Sequence, residues 1–297
     1  FYDGNGKVNV DLTDLTTLTL AGYWGNDRLS FELGPDDSRI KLGLSWGNRT
    51  FSGRVRTALR SDLFLSVSAT MSRYRSKWYF ENDGIMLDQA RGRLYDNAFK
   101  SDLEVYSFAD HKIKTGFWIS HYDALFRERT DLNQNEAGDL YLADVHKKTQ
   151  NYSVYLQDRW RIHPMLELQP GVRAYYHEIG EQFAVDPRLA TVFHYSTETR
   201  IKLAGGQYSQ FINVMSMGDQ FSNFDIWFPI DNTIDPGKSL QLVLGYERDF
   251  DDGLFKSRHD DDLELTTEVY YTKMSNVAAF NPMVDGGDEA KDAFVVG

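Results

Sequence analysis

The residues with the most chemical potential in this sequence are aromatic rings set beside carboxylates. In MGDQFSNFDIWFPIDN, residues 217–232, Phe221, Phe224, Trp227 and Phe228 crowd among Asp219, Asp225 and Asp231. Exposed rings beside carboxylates suit stacking combined with hydrogen bonding, the chemistry of sugar recognition and of holding an aromatic chelate. A competing reading has the same rings packing the segment onto its neighbours. A second candidate, YFENDGIMLDQARGRLYDN at 79–97, carries Tyr79, Phe80 and Tyr95 at its borders and reads as a long polar loop. The residues expected to touch a ligand are therefore Phe221, Phe224, Asp225, Trp227, Phe228 and Asp231, with Tyr79 and Tyr95.

Catalysis finds less support. The seven histidines are scattered, and no pair has the i, i+4 spacing of a helical zinc motif. DFDDG at 249–253 and HDDD at 259–262 hint at a calcium loop, but the first lacks the full alternation and the later Glu, and together they read as one solvated turn. There is no Gly-x-Ser-x-Gly elbow, phosphate loop or dinucleotide fingerprint. The expectation is a protein that is not an enzyme and uses neither metal nor cofactor. A net charge of −12 argues against a nucleic-acid partner, whose phosphates demand clustered Lys and Arg.

The elements that must position these residues are strands. LFLSVSATMSRY, residues 63–74, sets Leu63, Leu65, Val67, Ala69 and Met71 on one side and Ser66, Ser68, Thr70 and Ser72 on the other. Leu18 and Leu20 oppose Thr17 and Thr19 in the same way, and Leu103 and Val105 oppose Asp102 and Glu104. Further on, Leu240, Leu242 and Leu244 oppose Gln241 and Gly245, and Leu263, Leu265 and Val269 oppose Glu264, Thr266 and Glu268. Helical periodicity is nearly absent, as is any run of about 18 apolar residues that would make a membrane helix. Zero cysteines excludes disulfides. The hydrophobic content of 41% in 297 residues is ample for an ordered fold.

Connections alternate between short turns, near 13–16, 60–62, 110–112, 162–164 and 196–199, and longer segments near 81–97, 127–148, 212–237 and 278–292. That rhythm belongs to an up-and-down antiparallel β-barrel with one trimmed rim and one elaborated rim, as in outer-membrane barrels. About twelve or thirteen strands are predicted, long enough to cross a bilayer obliquely. Trp24, Trp46, Trp78, Trp118, Tyr175, Tyr176, Tyr270 and Tyr271 read as interfacial aromatics.

Several motifs resemble those of TonB-dependent outer-membrane receptors. NYSVYLQDRWRIHPMLELQPGVRAYYH, 151–177, is similar to a mid-barrel hairpin in which Gln-Asp-x-Trp turns into a strand carrying Pro-Gly-x-Arg, here Gln157, Asp158, Trp160, Pro170, Gly171 and Arg173. The following hairpin, 186–211, resembles the family's Pro-Arg strand and Gly-x-Tyr-x-Gln closing strand through Pro187, Arg188, Gly206, Tyr208 and Gln210. LGYERDF at 244–250 and the Tyr270–Tyr271 strand look like the late-barrel pair.

The resemblance implies an all-β, antiparallel, transmembrane β-barrel in the bacterial outer membrane, of which residues 1–297 supply part of about 22 strands. It implies energy-coupled uptake of a ferric siderophore or a glycan. The implied partners are a plug domain of the same protein, the TonB complex, outer-membrane lipid and a surface lipoprotein. No segment of this sequence resembles the plug, so the chain reads as an internal part of the barrel. Asp158, Arg173 and Arg188 are expected to face the lumen, with Trp160, Tyr208 and Gln210 as accompanying motif residues. The alternative of a different class is a soluble β-rich carbohydrate-binding or structural protein.

Overall fold

A computed structural model describes residues 1–35, 39–130, 140–219, 222–232, 234–250, 263–280 and 294–296. Its strands are β1 (Tyr2–Thr13), β2 (Thr16–Leu33), β3 (Ile40–Arg60), β4 (Leu63–Asn82), β5 (Ile85–Phe108), β6 (His111–Thr130) and β7 (Leu140–His163). They continue as β8 (Leu166–His177), β9 (Gln182–His194), β10 (Thr199–Gln210), β11 (Ile212–Asp219), β12 (Ser222–Pro229), β13 (Gly237–Phe250) and β14 (Leu263–Ser275), followed by the short pair β15 (Ala278–Phe280) and β16 (Phe294–Val296). Twelve of these form one antiparallel sheet in the order β1 to β10, then β13 and β14. Among the described residues β11 and β12 leave the meander as a separate hairpin folded back against β4 to β7, and β15 and β16 form a second two-stranded pair outside it.

Register fixes the two faces. Val67 pairs with Val55 and Ser101, Leu65 with Thr57 and Leu103, and Ala69 with Gly53 and Phe99, so the apolar residues of β3, β4 and β5 share one face. Further round, Leu203 pairs with Leu244 and Gly205 with Leu242. This face is bare: Val154 is 59% exposed, Leu203 56% and Leu244 52%. A soluble sandwich or propeller would bury these rows in a second layer. The opposite face carries Ser66, Ser68, Lys100, Asp102 and Glu104, and it is the one the β11–β12 hairpin covers. Apolar outside and polar inside is the inversion of a membrane barrel.

Two expectations fail. Residues 81–97 are not a long loop, because β4 and β5 run into a two-residue turn at Asp83 and Gly84. Both turn residues have positive φ, 49° and 78°, the conformation that a tight hairpin requires and that an Asp-Gly pair supplies. Tyr79 and Tyr95 are therefore strand residues. Trp78, Trp118 and Tyr175 also depart from an interfacial belt: Trp78 lies across from Ala90, and Trp118 and Tyr175 lie across from Ser153, both buried on the covered face, and the three rings point there.

Strand lengths are unequal. The strands β3 to β7 have 20 to 24 residues, whereas β8 to β10 have 12 or 13. The turns at 14–15, 61–62, 109–110 and 164–165 make a trimmed rim. The excess length projects at the other end, so the elaborated rim is high on one side and low on the other.

Candidate functional site

The covered face of β6 to β8 meets the start of the β11–β12 arm around an open cavity of about 660 Å³. Register explains what lines it. A bulge between Arg161 and His163 shifts the register by one residue, which sets Tyr155 opposite Arg173, Ser153 opposite Tyr175 and Asn151 opposite His177. Trp118 on β6 lies opposite Ser153. Arg173 thus lies within an aromatic surround, its guanidinium 5.0 Å from the rings of both Trp118 and Tyr175 and 5.7 Å from Tyr155. It donates to Ser153 Oγ from Nη2 at 2.9 Å.

A second hollow of about 320 Å³ continues towards the trimmed rim, lined by Lys100, Lys114, Gln157 and Arg188 and sharing Trp118 and Arg173 with the first. The Arg188 guanidinium lies 4.5 Å from the Tyr208 ring. Gly206 stands opposite Arg188, and a Cβ there would come within 2.9 Å of the arginine Cγ, so the glycine makes room for that side chain. Lower still the charges are neutralised in place: Asp102 receives Lys100 at 3.0 Å and the Tyr155 hydroxyl, and Glu104 receives Lys114 at 3.0 Å. By contrast, among the described residues Arg173 and Arg188 have no carboxylate within 4 Å. Trp118 Nε1, Asn151 Oδ1, Asn213 Nδ2 and Arg188 Nε are buried without a hydrogen-bond partner. Unspent donors on Trp118, Asn213 and Arg188, and two guanidinium groups between aromatic planes, with Asp186 across from Arg173 as its nearest cross-strand carboxylate, can bind an anion or a planar polar ligand.

The arm that covers this cavity is held by its own rings. Phe228, 5% exposed, packs with Phe211, Ile230, Ile234, Ala90 and Ala184, against Trp78, Phe126 and Tyr175. Trp227 meets Tyr74 edge-on at 6.3 Å. Asp231 receives Lys147 at 2.6 Å. His177 stacks on Phe211 at 5.3 Å and donates from Nε2 to the Ile230 carbonyl at 3.1 Å. Burial beneath the arm pushes the His177 imidazole below its usual value, only partly offset by that hydrogen bond.

The predicted ligand-binding residues are thus dispersed. Trp227, Phe228 and Asp231 dock the arm, and the backbones of Phe224 and Asp225 lie in β12. Phe221 lies outside the described residues. Tyr79 and Tyr95 are on the bare face, Tyr79 beneath Lys77 at 4.9 Å and Tyr95 among arginines.

The motif residues divide. Arg173, Arg188, Tyr208 and Gln210 are on the covered face, Gln210 donating to the Ile212 carbonyl at 2.6 Å. Asp158 is not a lumen residue: even-numbered positions of this part of β7, with Val154 and Leu156, face out. There it pairs with His111 at 2.6 Å, whose ring stacks on Trp160 at 5.4 Å. The acid serves a rim contact because strand alternation leaves it no inward option. The cavity residues overlooked in the sequence are Trp118, Tyr155 and Tyr175, because the bulge between Arg161 and His163 shifts the register that the turn alone would give.

Comparisons place this geometry among known proteins. A family model described as TonB dependent receptor-like, beta-barrel, matches residues 1–293. Among solved structures, the ferripyoverdine receptor of the outer membrane of Pseudomonas aeruginosa is 10% identical with a TM-score of 0.60, over 100% of this chain and 50% of that one. The ferric-catecholate import receptor Fiu from K12 E. coli is 12% identical with a TM-score of 0.54, over 95% and 57%. The RagAB peptide transporter is 11% identical with a TM-score of 0.58, over 95% and 41%. The chain therefore spans about half the length of the solved proteins it resembles. No curated protein sequence matches.

Proposed function

Because the chain belongs to the TonB-dependent receptor-like β-barrel family of the outer membrane, we propose that it is wall for an energy-coupled importer whose ligand is anionic. The observation that carries this reading is the pair Arg173 and Arg188, set on the covered face within aromatic surroundings and, among the described residues, without a carboxylate within 4 Å. A ferric siderophore, with negative charge and planar donor groups, suits such a surface. A glycan would use the rings and the amides of Asn151 and Gln210 and leave the charge unused. The whole protein would complete the barrel and supply a plug that TonB pulls. A surface lipoprotein would be needed only for a glycan-type ligand.

The decisive experiment uses the full-length protein in cells deleted for competing receptors. Uptake of labelled ferric siderophores and of oligosaccharides is measured with and without TonB, for the native protein and for R173Q/R188Q. TonB-dependent uptake of an anionic chelate that falls about 10- to 100-fold in the double variant supports the proposal, since a lost charge-assisted contact costs about 1.5–3 kcal/mol. Uptake of a neutral glycan, unchanged in the variant, overturns it.

A further inference from the structure

The bare face changes character along its strands. On β3 the apolar row Val55, Gly53, Phe51 ends at Arg49; on β4 the row Leu65, Val67, Ala69, Met71 gives way to Arg73, Arg75 and Lys77. On β5, Phe99 is followed through Asn97 and Tyr95 by Arg93 and Arg91. On β6 and β7, Ile119 and Tyr152 give way to His121, Asp123, Arg127, Gln150, Lys148 and His146. All of these residues share the outward face, on the side of the elaborated rim.

Their pairing is unusual. Arg49 lies directly opposite Arg73, Arg75 opposite Arg93, Lys77 opposite Arg91, and Arg91 opposite Arg127. Like charges directly across a sheet are destabilising, and this occurs in a chain of net charge −12, where carboxylates outnumber cations. The available acids are few. Asp123 is taken by Arg93 at 2.7 Å, with His146 at 3.0 Å and Lys148 at 3.7 Å, and Asp144 is taken by Arg127 at 2.9 Å. Among the described residues, Arg49, Arg73, Arg75, Lys77 and Arg91 have no carboxylate within 4 Å.

Tyr95 organises the group. The guanidinium carbons of Arg73, Arg75 and Arg93 lie 5.3, 5.6 and 4.8 Å from its ring, and Arg75 donates to its hydroxyl. The ring holds three arginines together that would otherwise splay apart.

We infer that this patch binds the phosphate groups of an outer-leaflet lipopolysaccharide, the cluster around Tyr95 taking the headgroup and the rows of Phe51, Met71 and Phe99 taking the acyl chains. An amphiphile is indicated because cations and exposed apolar side chains adjoin on the same strands: Met71 is 58% exposed, Phe51 55% and Phe99 42%. Several guanidinium groups within one patch match a headgroup carrying more than one phosphate. The elaborated rim marks the external side, where that lipid is the phosphorylated amphiphile.

The inference rests on the membrane orientation and is independent of the ligand carried. It is tested on the full-length protein, purified in detergent and washed at high salt, by measuring retained lipid A by mass spectrometry. The native protein is expected to retain lipid A, and R73Q/R75Q/R91Q to retain at least 10-fold less while keeping the gel shift between folded and boiled forms. R54Q/R56Q, which removes the same kind of charge from the covered face, should retain the native amount. Equal retention in the native protein and the triple variant overturns the inference. So does retention of added phosphatidylglycerol equal to that of lipid A, or complete displacement of lipid A by inorganic phosphate. Unaltered siderophore uptake in the triple variant separates this outcome from that of the importer reading.

Discussion

Asp186 accepts two hydrogen bonds from Ser209, one from its backbone N–H and one from its hydroxyl, each at 2.8 Å. The carboxylate is fully buried on β9, and Ser209 is the penultimate residue of β10, where the chain leaves the sheet to begin the arm. The pair fastens the hinge of the arm to the wall. Asp186→Ala strands both donors and should cost about 1–3 kcal/mol locally. Hydrogen exchange is expected to quicken at 209–213 while the register of β9 holds; unchanged exchange there would show that the clamp carries nothing.

Phe228 is the main apolar anchor of the same arm. Phe228→Ala should cost about 3–5 kcal/mol of docking energy. The expected outcome is a barrel that still assembles, with Trp227 fluorescence shifted towards that of a solvated ring. A barrel that fails to assemble would mean the arm is part of the folding core.

Acidity should act on that contact through His177. Its value beneath the docked arm lies below the ordinary 6.5, so His177 binds the proton more readily when the arm is undocked. Docking is therefore at full strength above about pH 6.5 and weakens as pH falls below it towards the folded value. Exchange rates at 228–232 compared at pH 7.5 and 5 should show this loss, and His177→Gln should remove the dependence.

Lipid contact is tested by adjacent residues of opposite face. Val67→Arg puts a cation in the apolar band and should destabilise the barrel by about 2–4 kcal/mol. Ser68→Glu, one position on, puts a charge of complementary sign on the interior face between Arg54 and Lys100 and should assemble with native yield. Equal damage from both would contradict a hydrated interior.

Most of the wall was legible because a strand repeats every two residues, so Leu18, Leu20, Val67, Leu242 and Val269 had to share a face once any one was placed. The stretch 81–97 was misread where that logic lapses. Above the apolar band neither face needs to be greasy, and Gln89, Arg91 and Arg93 carry no alternation to betray a strand; only Asp83–Gly84 marked the hairpin. The site was legible in part. Arg173 and Arg188 stood out as motif residues, whereas the rings around Arg173 come from separate strands, and only the register of the folded wall brings Trp118, Tyr155 and Tyr175 to it.

The unequal rim has a consequence for how large objects meet this protein. At about 3.3 Å per residue, β5 and β7 run roughly 80 Å and β8 to β10 roughly 40 Å, so one flank stands well clear of the other. This part of the rim is tilted like a visor, lowest over β8 to β10. A bulky particle such as a phage tail or an antibody that grips the Asp83–Gly84 tip stands aside from that low stretch. Within this part of the wall, the tall flank of β3 to β7 and the low flank of β8 to β10 therefore offer separate surfaces to an approaching particle and to a small solute.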